Sequence, residues 1–397
     1  MKRLLFTMAI LLSCWSLMGQ DESEGTTKFM LRGYSQGGFT ATKDDNSFGS
    51  VGFSPLFIYR HDDKLIFESE LEFEYEGGEL SMALEYANVS YKVSNSLWLR
   101  AGKIIVPFGN WFERIHPSWI NPLPTMPLGY GHGGILPTAD LGIEARGAAY
   151  LGKMKFNYSA YLVNGPQLND GDHEQEEAGM VSHGVTVDNN NNKFVGGRFG
   201  IFPFKNSSLE LGFSGLTGKV GAKDSEFNKV GSRLYALDLS YIKSLNFMKS
   251  IISVRAQKSF INVDDVEYKI IHEDGDEEHL EFDNKVRSLY TQISIKPALV
   301  GSKFIRSLEF VGRYANINQP KGAPWAKNPT QLAFGVNYWF SWRSVLKFAY
   351  QINGIDTVPM EMGHDDEPID IHGPEPVGGH GAMGGANTFY IQWAIGF

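Results

Sequence analysis

The chain lacks most of the features that assign a protein to a class at once. Cysteine is nearly absent: Cys14 is the only one in 397 residues, and one thiol cannot build a disulfide framework. Beyond the N-terminal segment there is no apolar run of 18 residues, which excludes a transmembrane helix. The net charge of −9 is spread along the sequence, which argues against nucleic acid as a partner. No nucleophile elbow, P-loop or HExxH follows the first segment. That absence excludes less, because barrel proteases and lipases use sites that carry no local motif.

What is present begins with the N-terminus. Lys2 and Arg3 precede an apolar run from Leu4 to Leu12, and small and polar residues follow up to Gly19 and Gln20. The run is too short to span a bilayer as a helix. The pattern is that of a cleaved secretory signal over 1–19, leaving 20–397 as one unit. Leu11 to Cys14 makes a poor lipoprotein box. Unless Cys14 is lipidated there, it is removed and the mature chain has no thiol.

Glycine is abundant, at 44 residues, and aromatics make up 13%. The mean hydropathy of −0.22 fits a soluble protein. It equally fits a membrane β-barrel, which hides its lipid face in every second residue. The local pattern points to the second. "LIFESELEFEYE" puts Leu65, Phe67, Leu71, Phe73 and Tyr75 on one face and Glu68, Glu70, Glu72, Glu74 and Glu76 on the other. "RLYALDLSYI" and "QLAFGVNYWF" alternate in the same way. Period two means strand, because successive side chains point to opposite faces.

The alternation predicts sixteen strands, at about 28–40, 49–60, 64–76, 79–93, 96–106, 138–151, 154–165, 193–203, 208–218, 233–243, 250–262, 285–297, 304–317, 329–340, 343–354 and 387–397. Most are long enough to cross a bilayer as tilted strands. Their connections alternate short and long, as periplasmic turns and outer loops do in bacterial barrels. An even strand number returns the C-terminus to the periplasm. There Phe389, Ile391, Trp393, Ile395 and Phe397 share one face, and a final aromatic would sit in the interfacial girdle. Outer-membrane barrels commonly end on an aromatic that the assembly machinery reads, and Phe397 fits that role. The alternative, a secreted sandwich or β-helix, needs apolar inner faces. The faces opposite the aromatics here are Glu, Ser, Asn, Gln, Gly and Arg, which suits a water-filled lumen.

The long third loop holds six prolines between Pro107 and Pro137, with Phe108, Trp111, Phe112, Trp119 and Tyr130. A mobile surface loop would not be this aromatic. It is expected either to fold into the barrel and narrow it or to pack above it on its neighbours. Within it Glu113, Arg114 and His116 are candidates for the narrowing. "LRAGKIIVPFGNW", residues 99–111, resembles the phosphate-selective porin O and P family where a strand enters the third loop, through Gly102, Pro107, Phe108 and Gly109. The likeness covers roughly 64–165. It implies a sixteen-stranded channel, usually a homotrimer, passing small solutes by diffusion.

Family members that prefer anions line the pore with Arg and Lys. Here the polar faces offer Arg100, Arg146, Arg198, Arg255 and Arg313, against Glu68, Glu70, Glu72, Glu74, Glu85, Glu144, Asp238 and Glu309. Rows of carboxylate favour cations and rows of Arg or Lys favour anions, so phosphate selectivity does not follow. The two sets could equally pair across the lumen. Three segments are rich in acid and His, at 170–177, 272–279 and 363–381. None has fixed ligand spacing, and a solvated acidic loop explains them without a metal.

The expectation is therefore an all-β transmembrane barrel acting as a passive outer-membrane porin, with no enzyme activity and no cofactor. Its partners would be outer-membrane lipid, the assembly machinery, small solutes and two further copies of itself. A barrel enzyme with a site at the extracellular rim, or an adhesive or metal-capturing surface protein, remains as an alternative.

Overall fold

The computed structural model describes residues 28–49, 51–131, 133–171, 175–184, 187–271, 277–355 and 386–397. The expected signal, Cys14, and the acidic stretch 363–381 lie outside them, as does most of 272–279.

Alternating sequence becomes strand wherever it was expected. The barrel strands are β1 (Lys28–Ala41), β2 (Val51–Arg60), β3 (Leu65–Glu76), β4 (Glu79–Lys92), β5 (Trp98–Ile105), β6 (Ala139–Leu151), β7 (Met154–Val163) and β8 (Phe194–Phe202). They continue with β9 (Leu209–Lys219), β10 (Gly231–Leu245), β11 (Ser250–Val263), β12 (Lys285–Lys296), β13 (Leu308–Asn318), β14 (Pro329–Ser341), β15 (Ser344–Ile355) and β16 (Thr388–Gly396). Among the described residues the main sheet has 17 strands; one is the two-residue Asn46–Ser47, and the other sixteen close a ring. Each pairs antiparallel with its sequence neighbours, and β1 pairs with β16 from Tyr34↔Gly396 to Ala41↔Phe389. Closure removes every open edge, as a strand in lipid requires.

Register sorts the side chains. On β9, Leu211 and Phe213 are exposed on the outer wall while Glu210, Ser214 and Leu216 are buried inside. Exposed Phe53, Phe67, Tyr235, Phe334 and Trp393 continue the outer wall. A water-soluble surface does not carry apolar area on this scale; a lipid-facing one does.

Connections at one end are short, such as 152–153 and 342–343; at the other end most are long. The exception at the loop end is Gly77-Gly78, with φ of +60° and +90°. Two consecutive positive φ angles suit a two-residue hairpin turn, which glycine enters without steric cost.

Two expectations need correction. The strand expected from 304 begins at Leu308, because Lys303–Arg306 forms a helical turn that Ser302 caps through its hydroxyl to the Ile305 N–H. The inner wall is also not polar throughout. At the loop end of β8 to β13 it carries Phe194, Leu216, Leu234, Ile261, Val286 and Ile317, all buried. These residues pack against the loops above them. The ladder Gln167–Leu168/Val181–Ser182 and the hairpin Glu267–Ile271/Glu277–Glu281 fold over this end. Tyr268 stacks between Phe227 and Phe282, and Trp325 donates its indole N–H to the Ala178 carbonyl at 3.0 Å. Aromatic packing, not acid, shapes this cap.

Candidate functional site

The third loop, residues 106–138, enters the barrel and crosses it. Its backbone leaves β5 and returns to β6 through the Val106 N–H to Thr138 O bond of 2.9 Å. Between these points it makes short helical turns, such as Ile115 N–H to Trp111 O at 2.8 Å. Trp111 is fully buried and meets Tyr130 and Tyr290 at ring-centroid distances of 5.6 and 5.4 Å.

Polar bonds fix the loop to β1 and to the wall between β9 and β15. The Gly109 N–H donates to Ser214 Oγ at 2.9 Å on β9, and the Asn110 N–H to Gln257 Oε1 at 3.1 Å on β11. Tyr290 on β12 donates to Asn110 Oδ1 at 2.5 Å. Arg313 on β13 donates to the carbonyl and hydroxyl of Thr125, both at 2.6 Å. Asn337 on β14 donates to Pro122 O at 2.8 Å, and Lys347 on β15 donates to Ser118 O. Two strands past β15 around the ring, Tyr34 of β1 lies 3.0 Å from His116 Nε2. A buried backbone segment needs its polar groups matched, and the inner wall supplies the partners.

Below the loop, toward the short turns, the described residues line three cavities. The largest, about 470 Å³, is bounded by Glu68, Arg100, Glu113, Arg114, Arg146 and Arg198. A second of about 260 Å³ lies between Glu70, His116, Trp119 and Arg343. A third of about 220 Å³ is lined by Asn110, Arg114, Glu210, Ser240 and Arg255.

The residues singled out from sequence fall into two ion-pair clusters and several separate positions. Arg100, Glu144, Arg146 and Glu113 form one ion-pair chain, with N–O distances of 3.2, 3.6 and 2.8 Å along it. Arg198 joins Asp238 at 2.6 Å and Glu210 at 3.2 Å, and Arg114 reaches Glu210 from the loop. These charges couple loop to wall around the largest cavity. Glu70 stands apart from them. It accepts from Tyr34 Oη at 2.8 Å and lies 3.7 Å from His116 Nε2. Glu72 and Glu74 follow it on the same face, opposite Ala83 and Ser81, past a bulge at Glu70/Leu71. Arg313, 1% exposed, meets Thr125 of the loop and lines none of these three cavities. Arg255 lines the third cavity, and among the described residues no carboxylate pairs with it.

Sequence reading missed Tyr34, Tyr290, Gln257 and Lys347. Lys347 was within reach: in "SVLKFAYQ" it takes the phase opposite Leu346 and Phe348. Inward tyrosines give no such signal, because an aromatic in a barrel strand reads as a lipid contact.

Comparison with known proteins agrees with this architecture. Over 95% of this chain and 100% of the other, it superposes on Salmonella typhi OmpF in complex with daunomycin, with a TM-score of 0.57 at 14% identity. The outer membrane channel DcaP of Acinetobacter baumannii gives 0.54 at 12% identity, covering 96% of this chain and 99% of that one. The anion-selective porin of Comamonas acidovorans gives 0.50 at 16%, covering 94% and 100%. The fold is that of Gram-negative outer-membrane barrels. In sequence, no family model matches. An uncharacterized protein of Aquifex aeolicus (strain VF5) is 34% identical over 123 residues, which is 29% of this chain and 27% of that protein. The match thus spans about a quarter of that relative's length.

Proposed function

We propose that this barrel is an outer-membrane channel for passive diffusion of small hydrophilic solutes or ions, narrowed by residues 106–138. The observation that carries the reading is the loop's path. It is bonded to β1, β9, β11, β13, β14 and β15, yet a charged cavity of about 470 Å³ persists beside it. A purely structural plug would be served as well by apolar packing. Charged walls around residual space instead stabilise hydrated ions in a narrow passage.

The proposed lining is Glu68, Arg100, Glu113, Arg114, Arg146 and Arg198 at the largest cavity, with Glu144 supporting the arginines from the wall. Glu70 and His116 act at the second cavity and Arg255 at the third. Glu72 and Glu74 extend the acid row toward the loop end. Arg313 anchors the loop. The resemblance of residues 99–111 to the phosphate-selective porin O and P family supports the channel reading. A phosphate preference does not follow, since carboxylates neutralise most of the arginines. We further take the channel to assemble as a homotrimer and Phe397 to serve the assembly machinery. Planar-bilayer recording tests the core of this reading: the purified full chain should conduct KCl without added ligand. A membrane-inserted barrel with no conductance would overturn it.

A further inference from the structure

The outer wall carries a local reversal of its own chemistry. Among the described barrel strands no Asp or Glu takes an outward register position, and most outward positions are Phe, Leu, Ile, Val, Tyr or Ala. At the loop end of β9 to β12, however, the outward phase reads Lys219, Arg233, Lys258, Lys285 and Arg287. The register gathers them. Arg233 and Lys285 both face Asn262 across their strand pairs, and Arg287 and Tyr235 face Phe260. Lys258 lies one outward step below, between Leu237 and Leu289.

Two of the five have carboxylate partners: Arg233 lies 3.5 Å from Asp264 and Lys285 2.6 Å from Asp283. Lys258 and Arg287 have none among the described residues. They share a ring instead, with Lys258 Nζ 5.5 Å and Arg287 Cζ 5.3 Å from the Phe260 centroid. The direction of Lys258 matters. Its ammonium reaches toward Phe260, two residues nearer the loops, so the stem covers apolar wall while the charge is carried to the rim. That is snorkelling, and it makes a lipid-face lysine tolerable, because the cost of a basic residue falls steeply toward the interface.

We propose that this patch binds the phosphorylated headgroup of an anionic lipid in the loop-side leaflet, with Lys258 and Arg287 as the two phosphate ligands and Phe260 as the platform between them. The inference rests on the membrane reading of the barrel. Charge complementarity argues for it. Arg287 donates through one nitrogen to Asn262 Oδ1 at 3.1 Å and to backbone carbonyls, but neither cation has its charge met by a carboxylate among the described residues. Such cations at the level of the headgroups attract acidic lipid, and Arg and Lys both bind phosphate, Arg through a planar fork. The position argues for lipid over a soluble anion, since the patch is on the outer wall and faces none of the internal cavities. It also argues against a protein partner reached through apolar contact, because Asn262, Thr291 and Asn316 interrupt the apolar surface beside it.

The test is native mass spectrometry of the detergent-solubilised full chain titrated with diphosphoryl lipid A, with phosphatidylcholine, and with inorganic phosphate. The protein should retain lipid A in preference to phosphatidylcholine, and millimolar phosphate should not displace it. The Lys258→Gln/Arg287→Gln pair should weaken retention by at least about tenfold, while Lys243→Gln, outward on the same wall at the turn end, should not. Unaltered channel conductance of the double variant keeps this result separate from the channel reading. Where the double variant assembles poorly, the salt dependence of lipid A retention by the unaltered protein decides. Equal retention by the double variant, displacement by free phosphate, or insensitivity to salt each overturns the proposal.

Discussion

The ring of Phe397 stacks on that of Phe53, with centroids 5.9 Å apart and planes 17° from parallel. The Phe397 N–H donates to Gly33 O at 2.9 Å, and the Gly33 N–H returns a bond to Phe397 O at 3.2 Å. The residue thus fastens the β1–β16 seam and reaches over β1 to β2. Gly33 makes room for this: a Cβ there would meet Ser54 O at 2.4 Å and the Phe397 ring at 2.7 Å. Phe397→Ala should therefore lower barrel stability by about 1–2 kcal/mol, the worth of a half-buried aromatic. It should also reduce the heat-modifiable form on gels, with export unchanged. Undiminished assembly would leave the ring a bystander.

Strand parity was legible because most outward positions are apolar and the inward ones need not be. Glu210 between Leu209 and Leu211 shows this in three residues. The ion pairs were less legible, although Arg100 and Glu144 fall opposite each other once the register is known. The loop's destination was hidden. Asn110 and Gln257 are 147 residues apart, and nothing local to either announces the bond. The apolar cap was hidden for the same reason: Tyr268 and Phe282 stand in an acidic stretch and reveal their packing only when the hairpin folds. The acid ladder was placed on one face, but its division into a Glu70 that meets Tyr34 and His116 and a separate upper pair depends on the third loop.

The crossing of the lumen by the third loop makes conductance its readout. Arg313 gives two bonds to Thr125 and is almost wholly enclosed. Arg313→Gln removes the guanidinium from Thr125, whose carbonyl keeps the Asn121 Nδ2 bond of 2.9 Å; a lost bond to a charged group costs about 1.5–3 kcal/mol. Single-channel current should become noisier and larger as this part of the loop lifts from the wall. Deleting 111–130 should raise conductance severalfold if the strands still close. An unchanged current in both variants would mean that ions bypass the loop.

Charge selectivity separates two sides of the lumen. Glu68, Glu72 and Glu74 share one face of β3 with Glu70 between the first two, and same-face neighbours along this row lie about 7 Å apart from a rise of about 3.4 Å per residue. That is within the roughly 8 Å Debye length at physiological salt, so their potentials overlap. Changing these three to Gln should shift the reversal potential in a KCl gradient toward anions, most at low salt. Arg255→Gln should move it the other way, because this cation lines its cavity with no carboxylate paired to it among the described residues. If neither substitution moves the potential, the paired chain from Arg100 to Glu113 sets the preference.

The loop cap should loosen in acid through His183. Burial pushes its imidazole down to about 4, and among the described residues its Nε2 has no hydrogen-bond partner. An exposed histidine titrates near 6.5. The depressed value means that the packed loop holds the ring neutral, while an opened loop would bind a proton more readily. Its contribution to loop packing is therefore complete above about pH 6.5 and is lost as pH falls toward 4. Hydrogen-exchange protection over residues 175–184, the measured rate set against an intrinsic rate that itself slows in acid, should fall between pH 7 and pH 5. In His183→Gln that loss of protection should disappear, because Gln does not titrate, while protection at pH 7 drops modestly from the altered packing. Equal acid sensitivity in the two proteins would show that His183 is not its source.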